Sequence, residues 1–275
     1  MPRATSDRAT NAGVVVLLLL FSAFTVLPLI WMVFTSFKPL QEVEGQNLLP
    51  THWQPENYSQ VFTSVPFARY YMNSVFIAAW VTFLTCLTSA MSAYAFARLE
   101  WRFRDAVFKM YLATMMIPGV VTMIPNYTLM VRLHLLDSFT GLIVPSAFGA
   151  FGTFLLRQFM LTIPTALDEA ATIDGAGPLN VFLDVVLPLA RPGLIALAIF
   201  TFLGTYGSFY WPLVLVKSEQ LRTLPIGMMY FDTAYDRQTN LLMAASLMSL
   251  LPPIALFLVG QKYLVRGIAL GAVKG

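Results

Sequence analysis

Charge is scarce in this sequence. Only 11 % of the 275 residues are Asp, Glu, Lys or Arg, whereas 57 % are hydrophobic, and an ordinary soluble domain carries roughly 25 % charged residues. A chain so poor in charge has too few polar groups to cover a water-facing surface. The composition therefore excludes a cytosolic enzyme, a disordered tail and a secreted disulfide scaffold, and it predicts a polytopic membrane protein.

Cysteine and histidine are also nearly absent. The single cysteine, Cys86, allows no internal disulfide, and it lies in an apolar run where we interpret it as a small packed hydrophobe. The histidines, His52 and His134, fall in predicted loops, so the chain lacks the H-E-x-x-H pattern of a metalloprotease. We expect no metal site. The net charge of +3 comes from scattered basic residues and does not indicate nucleic-acid binding.

Six apolar segments are long enough to cross, or nearly cross, a bilayer as helices. They lie at about 14–37, 70–97, 110–131, 139–156, 193–216 and 241–260. The remaining parts are an N-terminus at 1–13, a long loop at 158–191 and a C-terminal tail at 261–275. Pro118, Gly119 and Pro125 predict a kink or break in the third segment. The fold class is therefore all-α, with six transmembrane helices.

The distribution of Lys and Arg predicts the orientation of these helices. Six spans place both termini on one side of the membrane. If that side is the cytoplasm, 11 of the 17 Lys and Arg residues lie inside, and the densest group runs from Arg98 to Lys109. Because cytoplasmic loops carry an excess of positive residues, we expect both termini to be cytoplasmic.

Ionisable residues are missing from the body of every predicted span. Ion-driven transporters usually keep such groups at membrane depth. The chain also lacks the G-x-x-x-x-G-K-[ST] loop that cradles ATP phosphates. Energy for transport must therefore come from another polypeptide, or the path is passive. Because carbonyls and hydroxyls alone can hold sodium, an ion-driven or passive facilitator that acts alone remains the alternative.

The inner loop at 158–191 is patterned as a helical hairpin. Thr165 and Asp168 form a near capping box at the start of a first helix. Gly175 is placed to end that helix in a left-handed conformation. Pro178 is placed to begin a second short helix, which Pro188 would stop.

Acidic residues mark this hairpin as more than a helix that lies in the lipid headgroups. Asp168, Glu169 and Asp174 are close together in the sequence, whereas helices that lie on membrane surfaces are usually basic. We expect these acids to face basic groups of a partner protein.

The spacing of small residues in the hairpin carries a family resemblance. Glu169-Ala170-Ala171 is followed by three residues and Gly175, then by nine residues and Val185-x-Leu187-Pro188. This pattern resembles the EAA loop of permease subunits of bacterial ATP-binding-cassette (ABC) importers, with Val185 where Ile is commoner. The string EAATIDGA resembles the carbohydrate-importer branch, of the maltose and glycerol-phosphate type. Other strings resemble that branch in the same order, among them Asn57-Tyr58, Tyr94-Ala95-Phe96-Ala97-Arg98, Trp211-Pro212-Leu213 and Leu224-Pro225-Ile226-Gly227.

The resemblance implies the type I importer permease fold, in which the hairpin is a coupling helix seated in a cleft of an ATPase subunit. It implies as partners a second permease in a heterodimer, an ABC ATPase dimer that binds ATP and Mg, and an extracytoplasmic solute-binding protein. It also implies that the tail at Gly267–Gly275 reaches toward the ATPase. The coupling residues that it carries over are Glu169, Ala170, Ala171, Asp174, Gly175 and Ala176.

Polar residues in two spans are candidates for the substrate path. Hydroxyl and aromatic groups suit a sugar-like ligand, and glycines weaken the helix around them. The candidates are Thr201, Gly204, Thr205, Tyr206, Ser208, Asn126 and Tyr127. Relatives often have W-N-[DE]-F where this chain has Tyr206-Gly207-Ser208-Phe209, so the Asn and the acid are absent. Small and hydroxyl residues also serve simply to pack helices together, and this alternative stays open.

These observations predict a non-enzymatic, multi-pass permease subunit in the bacterial cytoplasmic membrane, surrounded by lipid. It would import a sugar, a polyol or a glycerol phosphate derivative. A separate ATPase would drive alternating access, and the chain itself would hold no cofactor and no nucleic acid.

Overall fold

The computed structural model describes residues 3–233 and 237–272, with side chains from 14 onward in the first range and up to 262 in the second. These residues form helices and loops, without a β-strand in either range. The helices, in chain order, are α1 (Arg3–Ser36), α2 (Leu40–Val43), α3 (Glu56–Ser64), α4 (Phe67–Ala97), α5 (Arg104–Ala113), α6 (Gly119–Arg132), α7 (Phe139–Ile143), α8 (Ala150–Leu161), α9 (Ala166–Ile173), α10 (Pro178–Asn180), α11 (Leu187–Leu189), α12 (Arg191–Tyr206), α13 (Tyr210–Leu215), α14 (Leu224–Met228), α15 (Thr239–Ser249) and α16 (Leu251–Ala272).

Helices of membrane-spanning length and hydropathy occur in two forms. The continuous ones are Val14–Ser36 within α1, Phe67–Ala97 and Thr239–Lys262. The bent pairs are Arg104–Met116 with Gly119–Arg132 at 97°, Phe139–Ser146 with Ala150–Leu161 at 43°, and Pro178–Leu189 with Arg191–Tyr206 at 74°. The described part of the chain therefore holds up to six spans if each bent pair is one span.

The helix boundaries confirm the predicted break in the third segment and correct the predictions for the N-terminus and the fifth segment. The polar N-terminus is already helical from Arg3, because α1 extends well before the apolar run. The break predicted in the third segment lies at Pro118, which precedes α6 in an extended conformation. Pro125 lies inside α6. The fifth segment, predicted as continuous, ends its first helix at Tyr206, and α13 begins only at Tyr210.

One compact unit consists of Met1–Phe67 and Met228–Leu251. In it, α15 packs against α1 and α3. The buried amide of Asn57 connects these segments, since its Nδ2 donates to the carbonyl oxygens of Ser36 and Lys38 at 2.9 Å each. Its Oδ1 accepts from Nδ2 of Asn240 at 3.2 Å. Hydrogen bonding to three partners compensates the burial of this polar side chain.

The other unit consists of Ala68–Gly227 and Pro252–Gly275. Among its described residues, apolar side chains form clusters of buried residues. One surrounds Leu156, Met160 and Val186 beside the hairpin, and another surrounds Val81 and Leu142. Gly152 allows α8 to approach α4 closely, because a Cβ there would collide with the side chain of Ser89. Small residues permit such close approach of membrane helices.

Candidate functional site

The loop between α8 and α12 forms the predicted hairpin. Its first arm is α9, and its second arm runs from Pro178 to Leu189 through a π-helical stretch at Val181–Val186. Between the arms, Gly175 has φ = +88°, which confirms the predicted left-handed residue. The second arm does not stop at Pro188, which lies inside α11, and the chain bends only after Leu189.

The start of the first arm differs from the predicted capping box. Thr165 has helical backbone angles and its side chain makes no cap hydrogen bond. The carboxylate of Asp168 instead forms an ion pair with Arg98, with 3.2 Å between Nε and Oδ2. The prediction that Asp168 faces a partner protein is therefore wrong, because a guanidinium of the same chain already occupies that side of the carboxylate.

The other coupling candidates divide into two groups. Glu169, Ala170, Asp174 and Gly175 are exposed, whereas Ala171 and Ala176 are half-buried against the protein's own apolar cluster. A coupling role for these six residues stays a prediction. The two half-buried alanines pack against the apolar cluster of this chain.

Two apolar side chains at the hairpin turn are exposed, and neither is among the coupling residues predicted from the sequence. Ile173 is 85 % exposed and Leu179 is 66 % exposed, one on each side of Gly175. We call Ile173, Asp174, Gly175 and Leu179 the hairpin tip. Their positions close to Gly175 in the sequence could have predicted this exposure, because side chains at a tight turn between two helices tend to point away from the packed core.

The substrate-path candidates are not gathered in one place. Thr205 and Ser208 line a small cavity of about 20 Å³. Its other polar lining residues are Ser74, Ser146, Trp211 and Thr223. Such a volume holds about one water molecule. The cavity as it stands is therefore too small for a sugar.

The remaining candidates lie elsewhere on their helices. Tyr206 is buried and stacks on Phe202, with 5.7 Å between ring centroids. Tyr127 packs against the apolar cluster around Leu142. Gly204 and Asn126 are exposed, and Thr201 is half-buried. The structure thus brings Thr205 and Ser208 to a shared cavity that does not include the other five.

Two further predictions concern the ends of the chain and metals. The tail at Gly267–Gly275 is described only as backbone up to Ala272, and its last three residues lie outside the described residues. Within 3–233 and 237–272, His, Cys, Asp and Glu do not form a group of three that would suit a metal ion.

Comparison with known proteins identifies the family of this chain. The family described as "Binding-protein-dependent transport system inner membrane component" matches residues 85–270, which include the hairpin. The arabinooligosaccharides transport system permease protein AraQ of Halalkalibacterium halodurans is 34 % identical over 261 residues, covering 93 % of this chain and 94 % of that protein. The sn-glycerol-3-phosphate transport system permease protein UgpE of Pectobacterium atrosepticum is 38 % identical over 207 residues, 74 % of each chain.

A solved structure shows the same fold. A chain of a bacterial ABC transporter involved in the import of the acidic polysaccharide alginate superposes with a TM-score of 0.82 at 26 % identity, covering 94 % of this chain and 97 % of that chain. The type I permease fold and the resemblance to importer permeases are thereby confirmed. Permeases of this kind are transport components and not enzymes. The chain therefore belongs to the family of binding-protein-dependent transport system inner membrane components, as a membrane permease subunit of an ABC importer.

Proposed function

We propose that this permease forms, with a second permease, the membrane path for a sugar or sugar-like solute. The relatives support this class of solute, because their names specify arabinooligosaccharides and sn-glycerol-3-phosphate, and the solved neighbour imports alginate. The observation that carries the proposal is the 34 % sequence identity with AraQ, in an alignment that covers 93 % of this chain.

The hairpin tip is the part of this subunit that docks on an ABC ATPase dimer. Its exposed apolar side chains, Ile173 and Leu179, suit burial in a cleft of another protein. Glu169 and Asp174 add exposed negative charge for basic groups of that cleft. ATP and Mg bind to the ATPase, and its closure moves the hairpin, which carries the helices from an inward-facing to an outward-facing arrangement.

The subunit lies in the bacterial cytoplasmic membrane with both termini and the hairpin in the cytoplasm. The excess of basic residues on that side supports this orientation. The outer segments then face the extracytoplasmic solute-binding protein that delivers the solute.

Reconstitution tests this function. The permease is co-expressed with its second permease and ATPase, and the binding protein is screened by thermal shift against sugars, polyols and glycerol phosphates. We expect one of these to stabilise the binding protein and to enter proteoliposomes only when ATP, ATPase and binding protein are present. Uptake of that solute by the purified chain alone, or a binding protein stabilised only by a compound outside these classes, would contradict the proposal.

A further inference from the structure

The inner end of α4 is bonded to both arms of the hairpin. Arg98, directly after α4, donates from Nη2 at 2.7 Å to the carbonyl of Ile163, which lies just before the first arm, and its ion pair with Asp168 holds the first arm itself. Tyr94, one turn earlier, donates from Oη to the carbonyl of Pro178 at 2.9 Å, so it holds the second arm. We call Tyr94 and Arg98 the clamp.

Burial makes this clamp energetically different from a surface ion pair. The side chains of Arg98 and Asp168 are only 5 % and 19 % exposed. Removing one partner of such a pair leaves an uncompensated buried charge, which is strongly destabilising. The nearby pair between Arg104 and Asp105 contributes less, because the Asp105 carboxylate is exposed and water screens it. The clamp therefore attaches the hairpin firmly to the inner end of α4.

The outer end of α4 is bonded to a different segment, at 219–224. Asn73 donates from Nδ2 to the carbonyls of Gln220 and Arg222 at 2.8 and 2.9 Å. The hydroxyl of Ser74 accepts from the backbone N–H of Leu224 at 2.7 Å. Both polar side chains are buried, so these bonds replace hydration that the groups have lost.

Between these two ends α4 is a single helix of 31 residues. At a rise of 1.5 Å per residue it is about 45 Å long. Sharp kinks arise at proline, at glycine–serine pairs or at π-bulges, and α4 contains neither proline nor glycine. The neighbouring helix pairs are bent by 43° or more. A displacement at one end of α4 is thus carried to the other end instead of being absorbed by a bend.

We infer that α4 is a strut between the coupling hairpin and the outer segment 219–224, and that Arg98 and Tyr94 are positioning residues that make the hairpin move with it. This rests on the proposed docking of the hairpin on an ATPase. Because coupling between two sites is reciprocal, a binding protein that acts on the outer segment alters the hairpin through the same strut.

The test uses the complete complex in proteoliposomes and measures ATP hydrolysis with and without its purified binding protein. In Arg98→Gln we expect the basal rate to persist, while stimulation by the binding protein falls by about fivefold or more. Tyr94→Phe retains the ring against Phe182 and removes only the bond to Pro178, so it keeps the fold and lowers stimulation by a smaller factor.

A double-mutant cycle separates positioning from general damage. Asp168→Asn alone lowers stimulation, and Arg98→Gln combined with Asp168→Asn lowers it by less than the product of the single effects, because the unpaired charge is gone. Arg102→Gln is the matched control, since Arg102 is exposed and lies over the ring of Phe103. We expect it to behave as wild type.

Hydrogen exchange of residues 166–176 in the assembled complex gives a readout that does not depend on activity. Exchange increases in Arg98→Gln and Tyr94→Phe but not in Arg102→Gln. Wild-type stimulation together with wild-type exchange in both clamp variants would overturn the strut while leaving the proposed function intact. A wild-type complex that shows neither stimulation nor ATP-dependent uptake overturns the proposed function and the strut together.

Discussion

Asp137 and Ser218, in two separate turns of the chain, are joined by hydrogen bonds. Oδ1 of Asp137 accepts from the backbone N–H of Ser218 at 3.0 Å and from its hydroxyl at 2.9 Å. The same oxygen accepts from the backbone N–H of Lys217 at 3.0 Å. Asp137 itself has φ = +52°. One carboxylate therefore holds the turn before α7 against the turn that follows α13.

Removing this carboxylate should loosen both turns. We expect Asp137→Ala to lower the unfolding free energy by about 1–2 kcal/mol, since two backbone donors lose their protein acceptor. The apparent Tm of the purified complex, measured by intrinsic fluorescence, reports the change. Asp232→Ala is the control, because its ion pair with Arg237 is largely exposed and contributes little. Equal Tm values for the two variants would contradict the prediction.

Acidification should leave the hydrogen bonds to the Asp137 carboxylate intact until the pH is low. The bonds from Ser218 hold the pKa of Asp137 below its usual value of 3.8, and the bonds from Thr51 and His52 lower the pKa of Glu42 to about 2. A carboxylate with a depressed folded-state pKa stabilises the protein fully above its unfolded pKa and stops doing so as the pH falls through the folded one. We expect the Tm difference between wild type and Asp137→Ala to be equal at pH 7 and pH 5.5 and to shrink below pH 3.8. A difference that already disappears at pH 5.5 would refute this.

The buried amide of Asn57 should not tolerate a carboxylate. Asn57→Asp preserves shape but turns two donors into acceptors that face the carbonyls of Ser36 and Lys38. Burying a charge without a partner is costly, and we expect a loss of about 3 kcal/mol or more, seen as a lower yield of folded permease and a lower Tm. Asn47→Asp makes the same exchange at an exposed position and serves as the control.

Gly227 is required by the ring beside it. A Cβ at this position would collide with the aromatic ring of Tyr70, which is itself fully buried. We expect Gly227→Ala to cost about 1–3 kcal/mol through overpacking. Gly149→Ala is the comparison, because none of the described residues lies within 4 Å of a Cβ there. If both variants melt at the wild-type temperature, the steric interpretation fails.

Glycine is required at position 175 because of its left-handed backbone conformation and not because neighbouring atoms leave no room for a side chain. An added Cβ would meet none of the described residues within 4 Å, but φ is +88°. Left-handed geometry costs an L-residue about 1–2 kcal/mol, so we expect Gly175→Ala to distort the hairpin tip and reduce uptake without reducing the amount of permease in the membrane. Gly177→Ala, with φ of −76°, should retain uptake. Unchanged uptake in Gly175→Ala would remove the tip from the coupling proposal.

Local patterns predicted part of the hairpin correctly. Gly175 is recognisable because only a few residues between two helical patterns can adopt a left-handed conformation, and glycine does so at least cost. The near capping box at Thr165 and Asp168 followed the same local logic and was wrong. Asp168 instead pairs with Arg98, a residue 70 positions earlier in the sequence, and a local pattern carries no information on so distant a partner.

The substrate-path residues show the same limit. The hydroxyls of Thr205 and Ser208 point to a polar site, but the cavity they share is also lined by Ser74 and Ser146 from distant parts of the chain. The periodicity of hydrophobic residues predicts which residues lie on one face of a helix, but it does not predict which other helix packs against that face.

The amino-acid sequence by itself determined that this chain is helical, lies in a membrane and presents a hairpin with the EAA pattern, because hydrophobic burial, backbone hydrogen bonding in lipid and glycine geometry act over short stretches of sequence. Only the tertiary structure decided that α4 is bonded to the hairpin at one end and to segment 219–224 at the other. Those bonds join residues far apart in the chain, and their partners are selected by which buried polar groups must be satisfied once the helices have packed.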